Sequence, residues 1–208
     1  MDVSRPYAAV CPTVDGDVLE VLAGTTMALT GRQVALLTGR KSHSGVLAVL
    51  NRLTEHGLVS RVELNRAYLF ALNRDHLAAP AVEILAGMRK ALFDELRDVI
   101  DDWPITPVHV SLFGSAARGD GDTRSDFDLL VVRPDSVDQD EPAWRSQIDE
   151  LVDLIRRRTG NHASVIERDD SGMERLRAAE PPILSELLAD ALVLNGSRSQ
   201  LADMLEAA

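Results

Sequence analysis

Apolar residues change period along the chain, and each period predicts an element. Residues 1–12 carry little pattern and read as a lead-in. Val18, Leu19, Val21 and Leu22 then fit one face of a short helix. Thr30 is a good cap for a second helix with Val34, Leu36 and Leu37, ended by Gly39. A third helix is expected from Ser42 to His56, with Val46, Leu47, Leu50 and Leu53 at helical spacing and Gly57 beyond its end. The period next falls to two. Leu58 to Glu63 and Ala67 to Leu72 flank Asn65-Arg66 and read as a hairpin. Pro80 suits a first helical turn. From there Val82, Leu85, Leu92, Leu96 and Val99 predict one long helix, ending at Asp101-Asp102-Trp103-Pro104.

Val108 to Phe113 alternates like a half-buried strand, which Gly114 and Ser115 break. Ser115 to Arg118 can start a short helix capped by the Ser115 hydroxyl. Gly119 to Asp122 is a turn-rich loop, and Phe127 to Val132 returns as a second apolar strand. After a polar loop from Pro134 to Pro142, Trp144, Ile148, Leu151, Val152 and Ile155 mark an amphipathic helix. Arg156-Arg157-Arg158 at its end suits the helix dipole, which weakens it as a sign of a ligand site. Ala163 to Glu167 reads as a third strand, Pro181 to Ala191 as a last helix and Leu192 to Leu194 as a short closing strand.

Three helices followed by a hairpin look like a winged helix-turn-helix, with the third helix for recognition and the hairpin as the wing. Charge adds to this. Residues 31–74 hold seven basic and two acidic side chains, a net of +5 within a chain of net −11. That separation fits a local phosphate-binding face on double-stranded DNA. Arg40, Lys41, Ser42, His43 and Ser44 would meet backbone and groove at the helix start, with Arg61 and Arg66 flanking the wing. The same module can instead serve protein–protein contact, since fold alone does not fix function. The stripe from Val82 to Val99 either packs on its own chain or pairs with its copy in a homodimer. His43 and His56 lack metal-ligand spacing.

An overall charge of −11 argues against a protein that coats nucleic acid with its whole surface. The single cysteine, Cys11, allows no intrachain disulfide framework and points to a reducing compartment. No apolar run approaches the ~20 residues of a membrane span, and no signal peptide is evident. The expectation is a cytoplasmic protein without a membrane partner.

The chemistry lies in the spacing around the second strand. Asp126 and Asp128 are two apart, so both carboxylates point to one face. They repel unless a cation lies between them, and Mg²⁺ binds best through carboxylates plus substrate phosphates. Gly114 allows close backbone approach, the turn at Ser115 offers free N–H groups, and Arg118 adds a charge suited to phosphate oxygens.

These residues resemble the nucleotidyltransferase superfamily that includes DNA polymerase beta and the minimal nucleotidyltransferases. Its Gly-Ser-x-Ala-Arg-Gly and Ser-Asp-x-Asp-Leu motifs are met by Gly114, Ser115, Ala117, Arg118, Gly119, Ser125, Asp126, Asp128 and Leu129. The resemblance implies metal on Asp126 and Asp128, Mg²⁺ or Mn²⁺. It implies a nucleoside triphosphate, ATP first, held by Gly114, Ser115, Arg118 and Ser125. It implies transfer of a nucleoside monophosphate to a hydroxyl on a small molecule or a partner protein, as antitoxin members of the family do. Such enzymes usually carry a third carboxylate on the strand after the intervening helix. Here the usual pattern falls on Ser164, while a shifted register makes Glu167, the only acid on the strand, the third catalytic carboxylate.

The expected fold class is α/β (α+β): a winged helix-turn-helix over 1–79, a connecting helix over 80–103, and a nucleotidyltransferase domain with a small mixed sheet over 104–208. The rival reading is a transcriptional regulator whose nucleotidyltransferase domain only senses a nucleotide.

Overall fold

The computed structural model describes residues 1–39, 42–123, 125–178 and 182–206. Arg40 and Lys41, expected at the DNA face, and Pro181, expected to start a helix, lie outside them. The chain divides into two compact units. One spans residues 6–89; the other joins residues 1–5 to the chain from Lys90 onward.

In the first unit a 3₁₀ turn, Pro6–Ala9, leads to α1 (Val14–Ala23), β1 (Leu29–Thr30), α2 (Gly31–Leu37) and α3 (His43–Glu55). Strands β2 (Val59–Leu64) and β3 (Ala67–Leu72) and helix α4 (Ala79–Ala86) follow. Thr30 caps α2 through a full capping box: its hydroxyl accepts from the Gln33 N–H while the Gln33 side chain accepts from the Thr30 N–H. Ser42 caps α3 by accepting from the Gly45 N–H. Each such cap contributes about 1 kcal/mol. Val18, Leu22, Val34, Val46, Leu50, Leu53, Phe70 and Leu72 close one core. Leu36 and Leu37 do not join it; they are exposed at the end of α2. The hairpin turns at Asn65 and Arg66, both with positive φ. The sheet order is β1-β3-β2, all antiparallel, so β2 is an edge.

The long helix expected from Pro80 is two helices. α4 stops at Gly87, whose N–H closes on the Glu83 carbonyl, and α5 (Met88–Asp101) starts beyond it. The apolar stripe is split accordingly. Val82 is buried in the first core, whereas Leu92 and Leu96 are buried in the second.

The second unit continues with β4 (His109–Phe113), α6 (Gly114–Arg118), β5 (Phe127–Val132), α7 (Pro142–Thr159) and β6 (Ala163–Arg168). It closes with α8 (Asp170–Ala178), α9 (Pro182–Asp190), β7 (Leu192–Asn195) and α10 (Arg198–Glu206). The sheet order is β6-β5-β4-β7. β5 and β6 are parallel and the other pairs antiparallel, so the sheet is mixed and the fold α/β, as the sequence predicts. The parallel pair needs a crossover, which α7 supplies.

Strand alternation sorts the sheet's side chains between two helical layers. Phe127, Leu129 and Val131 face α5 and α7, with Trp144, Leu151 and Ile155. Phe113, Leu130 and Val132 face α8, α9 and α10, with Met173, Leu187 and Leu201. His109 and Ser111, alternating with Val110 on β4, are fully buried, and neither His109 nitrogen nor the Ser111 hydroxyl has a hydrogen-bond partner. Burial pushes the His109 pKa down to about 4, so the ring is neutral. Among the described residues no helix is long and apolar enough to cross a membrane.

Candidate functional site

The Gly-Ser turn and the Asp-x-Asp strand meet where β4 ends and β5 begins. Phe113 pairs with Asp128 across the two strands. Gly114 follows with φ +71, a left-handed conformation that glycine adopts without steric cost. A Cβ built there would lie 2.7 Å from the Asp128 Oδ2. The bare Gly114 is therefore what lets the Asp128 carboxylate lie against the turn. α6 begins at Gly114 itself, with Phe113 in the capping position and no side-chain cap. The expectation that the Ser115 hydroxyl caps this helix is corrected: Ser115 lies one residue inside the first turn. Gly119, in the left-handed region, ends the helix.

The loop back to β5 is tied down locally. The Ser125 hydroxyl accepts from the Asp122 N–H at 2.8 Å. The Asn161 side-chain amide donates to the Ser125 carbonyl at 2.8 Å. A Cβ on Gly121 would come within 3.2 Å of both the Ser115 and Ser125 hydroxyls. Both predicted nucleotide-binding serines thus gather around one glycine.

Asp126 is exposed just before β5, and Asp128 is half-buried on it. Burial holds the Asp128 pKa above its usual range, and the charges of Asp126 and Glu186 add to the rise. Excess negative charge and hard oxygen donors fit Mg²⁺ or Mn²⁺, which takes one or two carboxylates and completes its shell with phosphate and water. Among the described residues no three His, Cys, Asp or Glu side chains form a ready metal cluster. The strand itself provides one carboxylate, Asp128; the second, Asp126, which the sequence places on the strand, lies just before β5.

Arg118 emerges from α6 among acids. Its Nε donates to Asp120 at 3.2 Å, and its Nη1 lies 3.9 Å from Glu186 and 3.7 Å from Asp190. Glu186 and Asp190 are one helical turn apart on α9, and sequence reasoning missed both. Their i, i+4 spacing was a usable signal for one helix face, but nothing local tied that face to Arg118.

The parallel register of β5 and β6 separates the two candidate third acids. Asp128 pairs with Ser164, and Val131 pairs with Glu167. Ser164 thus shares the face of Asp128. Glu167 is on the opposite face, where it accepts from Arg133 Nε at 3.0 Å and Trp144 Nε1 at 3.1 Å. The expectation that Glu167 is the third catalytic carboxylate is corrected by this register: the acid is a half-buried structural partner of the buried Arg133. A cavity of about 520 Å³ beside it, lined by Arg133, Glu167, Arg168, Asp169 and Arg175, lies at the far end of β5 from Asp128. Its arginines are largely answered from within, Arg133 by Glu167 and Asp169.

In the other unit Ser42, His43 and Ser44 are exposed at the start of α3. Arg66 is exposed in the hairpin turn. Arg61 is held close to home, 4.7 Å above the Tyr68 ring, with Nη1 donating to Asn51 at 3.5 Å. Arg52 and Arg74 form ion pairs with Asp15 and Glu83, which removes them from the free basic set.

Residues 94–176 match a family model described as a nucleotidyltransferase domain. The matched span contains the Gly-Ser turn, both aspartates and β6, so the resemblance read from the motifs holds over the site itself. No curated protein matches the chain. A solved structure described as a crystal structure of a toxin–antitoxin with AMP-PNP is 17% identical, with a TM-score of 0.38, over 54% of this chain and 80% of that one.

Proposed function

We propose that the second unit binds a metal–nucleoside triphosphate at Gly114, Ser115, Asp126 and Asp128 and transfers a nucleoside monophosphate, AMP from ATP, to an acceptor hydroxyl. The observation that carries this reading is the approach of the Asp128 carboxylate to the Gly114 turn, closer than any residue with a Cβ allows. Asp126 and Asp128 would hold Mg²⁺ or Mn²⁺, which neutralises phosphate charge and orients the triphosphate. Backbone N–H groups of the turn would meet the outer phosphates. The Ser115 and Ser125 hydroxyls would fix the loop over them, and Arg118 would exchange its carboxylates for phosphate oxygens. The acceptor oxygen attacks the α-phosphorus, pyrophosphate leaves, and positioning and charge neutralisation supply most of the acceleration. The acceptor is a hydroxyl on a small molecule or on a partner protein.

Ser164 beside Asp128 favours a second reading, in which a strand lacking its third acid binds the nucleotide and turns it over slowly or not at all. The first unit then acts as the output. Three helices, a hairpin and the exposed set Ser42, His43, Ser44 and Arg66 support a winged helix-turn-helix on double-stranded DNA, with Arg61 behind the wing. A transcriptional regulator with a nucleotide sensor is the result.

One experiment tests the site and separates the readings. The protein is incubated with labelled nucleoside triphosphates, Mg²⁺ and cell extract, and labelled product and pyrophosphate are followed. Its melting temperature is measured with Mg²⁺–ATP and with ATP plus EDTA, because a ligand of the native state raises it. Transfer with a metal-dependent shift supports the enzyme; a shift without transfer supports the sensor. Asp126→Asn with Asp128→Asn removes the shift in either case, and a double variant that keeps it refutes the site.

A further inference from the structure

Strand β2 is an edge of its sheet, and its only edge defences are two opposite charges, Arg61 and Glu63, that can answer each other across a pair of copies. Natural edge strands are blunted by proline, by charged side chains, lysine above all, by a bulge or by a covering element. β2 reads Val-Ser-Arg-Val-Glu-Leu, without proline or lysine, and its register with β3 runs unbroken from Val59↔Leu72 to Leu64↔Ala67. It also exposes apolar side chains: Val62 is 61% and Leu64 55% exposed, on the sheet face away from Phe70.

We propose that this edge is a dimerisation strand, with β2 of one copy pairing antiparallel with β2 of a second copy about Val62. Backbone geometry selects the residues. The hairpin closes through a two-residue turn, Asn65-Arg66, with φ of 49 and 66, the type I′ pattern. Leu64 and Ala67 therefore form the hydrogen-bonded closing pair, and hydrogen-bonded pairs alternate from there. The amides of Leu64, Val62 and Ser60 point at β3. Those of Glu63 and Arg61 point outward, available to a new strand.

Charge selects the register. A two-fold axis through an antiparallel pair sets one residue against its own copy. Centred on Arg61 it opposes two guanidinium groups, and centred on Glu63 two carboxylates, and like charges directly opposite destabilise. Centred on Val62 it sets Arg61 against the partner's Glu63 and Glu63 against the partner's Arg61. The residues with outward-pointing amides are then the oppositely charged pairs. On the other face Val62 meets the partner's Val62, with Leu64 nearby. One short strand per copy makes a small interface, in the weak class below about 1,200 Å². The dimer is accordingly concentration-dependent. This proposal is independent of the nucleotide site.

Sedimentation equilibrium of the full chain over a wide concentration range tests it. The parent chain should dimerise. Glu63→Arg and Arg61→Glu should each weaken dimerisation at least about tenfold, since each sets like charges opposite. The combined Arg61→Glu and Glu63→Arg variant restores both pairs and should recover the parent constant, which an unfolded variant could not do. A parent that is monomeric throughout overturns the proposal. So do single variants that associate like the parent, or a double variant as weak as the singles. The register has its own test in a Cys11→Ser background. Val62→Cys should cross-link on mild oxidation, because facing residues in a non-hydrogen-bonded antiparallel pair have Cα atoms about 4.5 Å apart, within disulfide range. Ser60→Cys, opposite the partner's Leu64, should not. A dimer in which Val62→Cys fails to cross-link overturns the register.

Discussion

Gly114→Ala should disable the site while leaving the fold standing. The substitution has two costs. A residue with a Cβ held at φ +71 loses roughly 1–2 kcal/mol of stability relative to glycine. Its Cβ also falls 2.7 Å from the Asp128 Oδ2. Against a C···O contact of about 3.3 Å, the carboxylate must retreat by about 0.6 Å. Displacements of that order are worth on the order of tenfold to a hundredfold in a rate that depends on alignment. Gly160→Ala is the control. Gly160 has φ +76, and nothing lies within 4 Å of the position its Cβ would take. It carries the conformational cost without the steric clash. Thermal melts should show both variants losing similar stability. Only Gly114→Ala should lose the Mg²⁺-dependent shift with ATP and any transfer of label. If Gly114→Ala keeps the parent's metal-dependent shift, or if Gly160→Ala loses it equally, room for the Asp128 carboxylate is not what the glycine provides.

Other substitutions probe the remaining assignments. Glu167→Gln should lower stability by about 1.5–3 kcal/mol, the range for a hydrogen bond to a charged group, and leave the Mg²⁺–ATP shift intact; loss of that shift in a variant of parental stability would return Glu167 to the site. Ser164→Asp should tighten metal binding or raise transfer, read by titration with Mn²⁺ and by label; a fall in both would show that the face of Asp128 does not accept a third acid. His109 should make stability pH-dependent. Its folded pKa of about 4 lies below the ordinary 6.5, so the unfolded chain takes up a proton first. Stability from this group is whole above about pH 6.5 and is lost as pH falls toward 4, by roughly 3 kcal/mol in all. His109→Phe should flatten urea-derived stability over that window, and parallel curves for parent and variant would remove His109 as the cause. Arg66→Ala should reduce the salt slope of duplex binding by about one unit, the share of a single neutralised phosphate; an unchanged slope would take the hairpin turn off the DNA.

Most of the elements were legible because their signals are local. The cap at Thr30, the start of the third helix near Ser42 and the Asn-Arg turn are set by residues within a few positions of each other. Gly114 and the aspartates were legible for the same reason, since a turn and a two-residue spacing are local facts. What escaped was set at a distance. Gly87 interrupts a stripe whose period continues straight through it, and only the separate burial of Val82 and Leu96 shows that two helices serve two cores. α8 and α10 are short and were missed; α8 relies on Asp169, which accepts from the Gly172 N–H. Above all, the third-acid question turned on the register of β6 against β5. Eighteen helical residues separate those strands, and no spacing in sequence fixes how they align.

The order of strands across the second sheet also bears on when the site can exist. β4 lies between β5 and β7, so the Gly-Ser turn leaves a strand flanked by the last one in the chain. β7 pairs Leu192 with Leu112 and Val193 with Ser111, joining segments far apart in the chain. Contacts of such long separation form late, because the entropy of closing the loop precedes their reward. α9, which brings Glu186 and Asp190 to Arg118, also comes after both motifs. During synthesis the motifs therefore leave the ribosome well before the layer that covers their sheet. Until α9, β7 and α10 follow, the face with Phe113, Leu130 and Val132 is covered by α8 alone and leaves apolar surface open to chaperones and to aggregation. The candidate site should thus be completed late in biogenesis, a sequence of events written into the topology rather than into either motif.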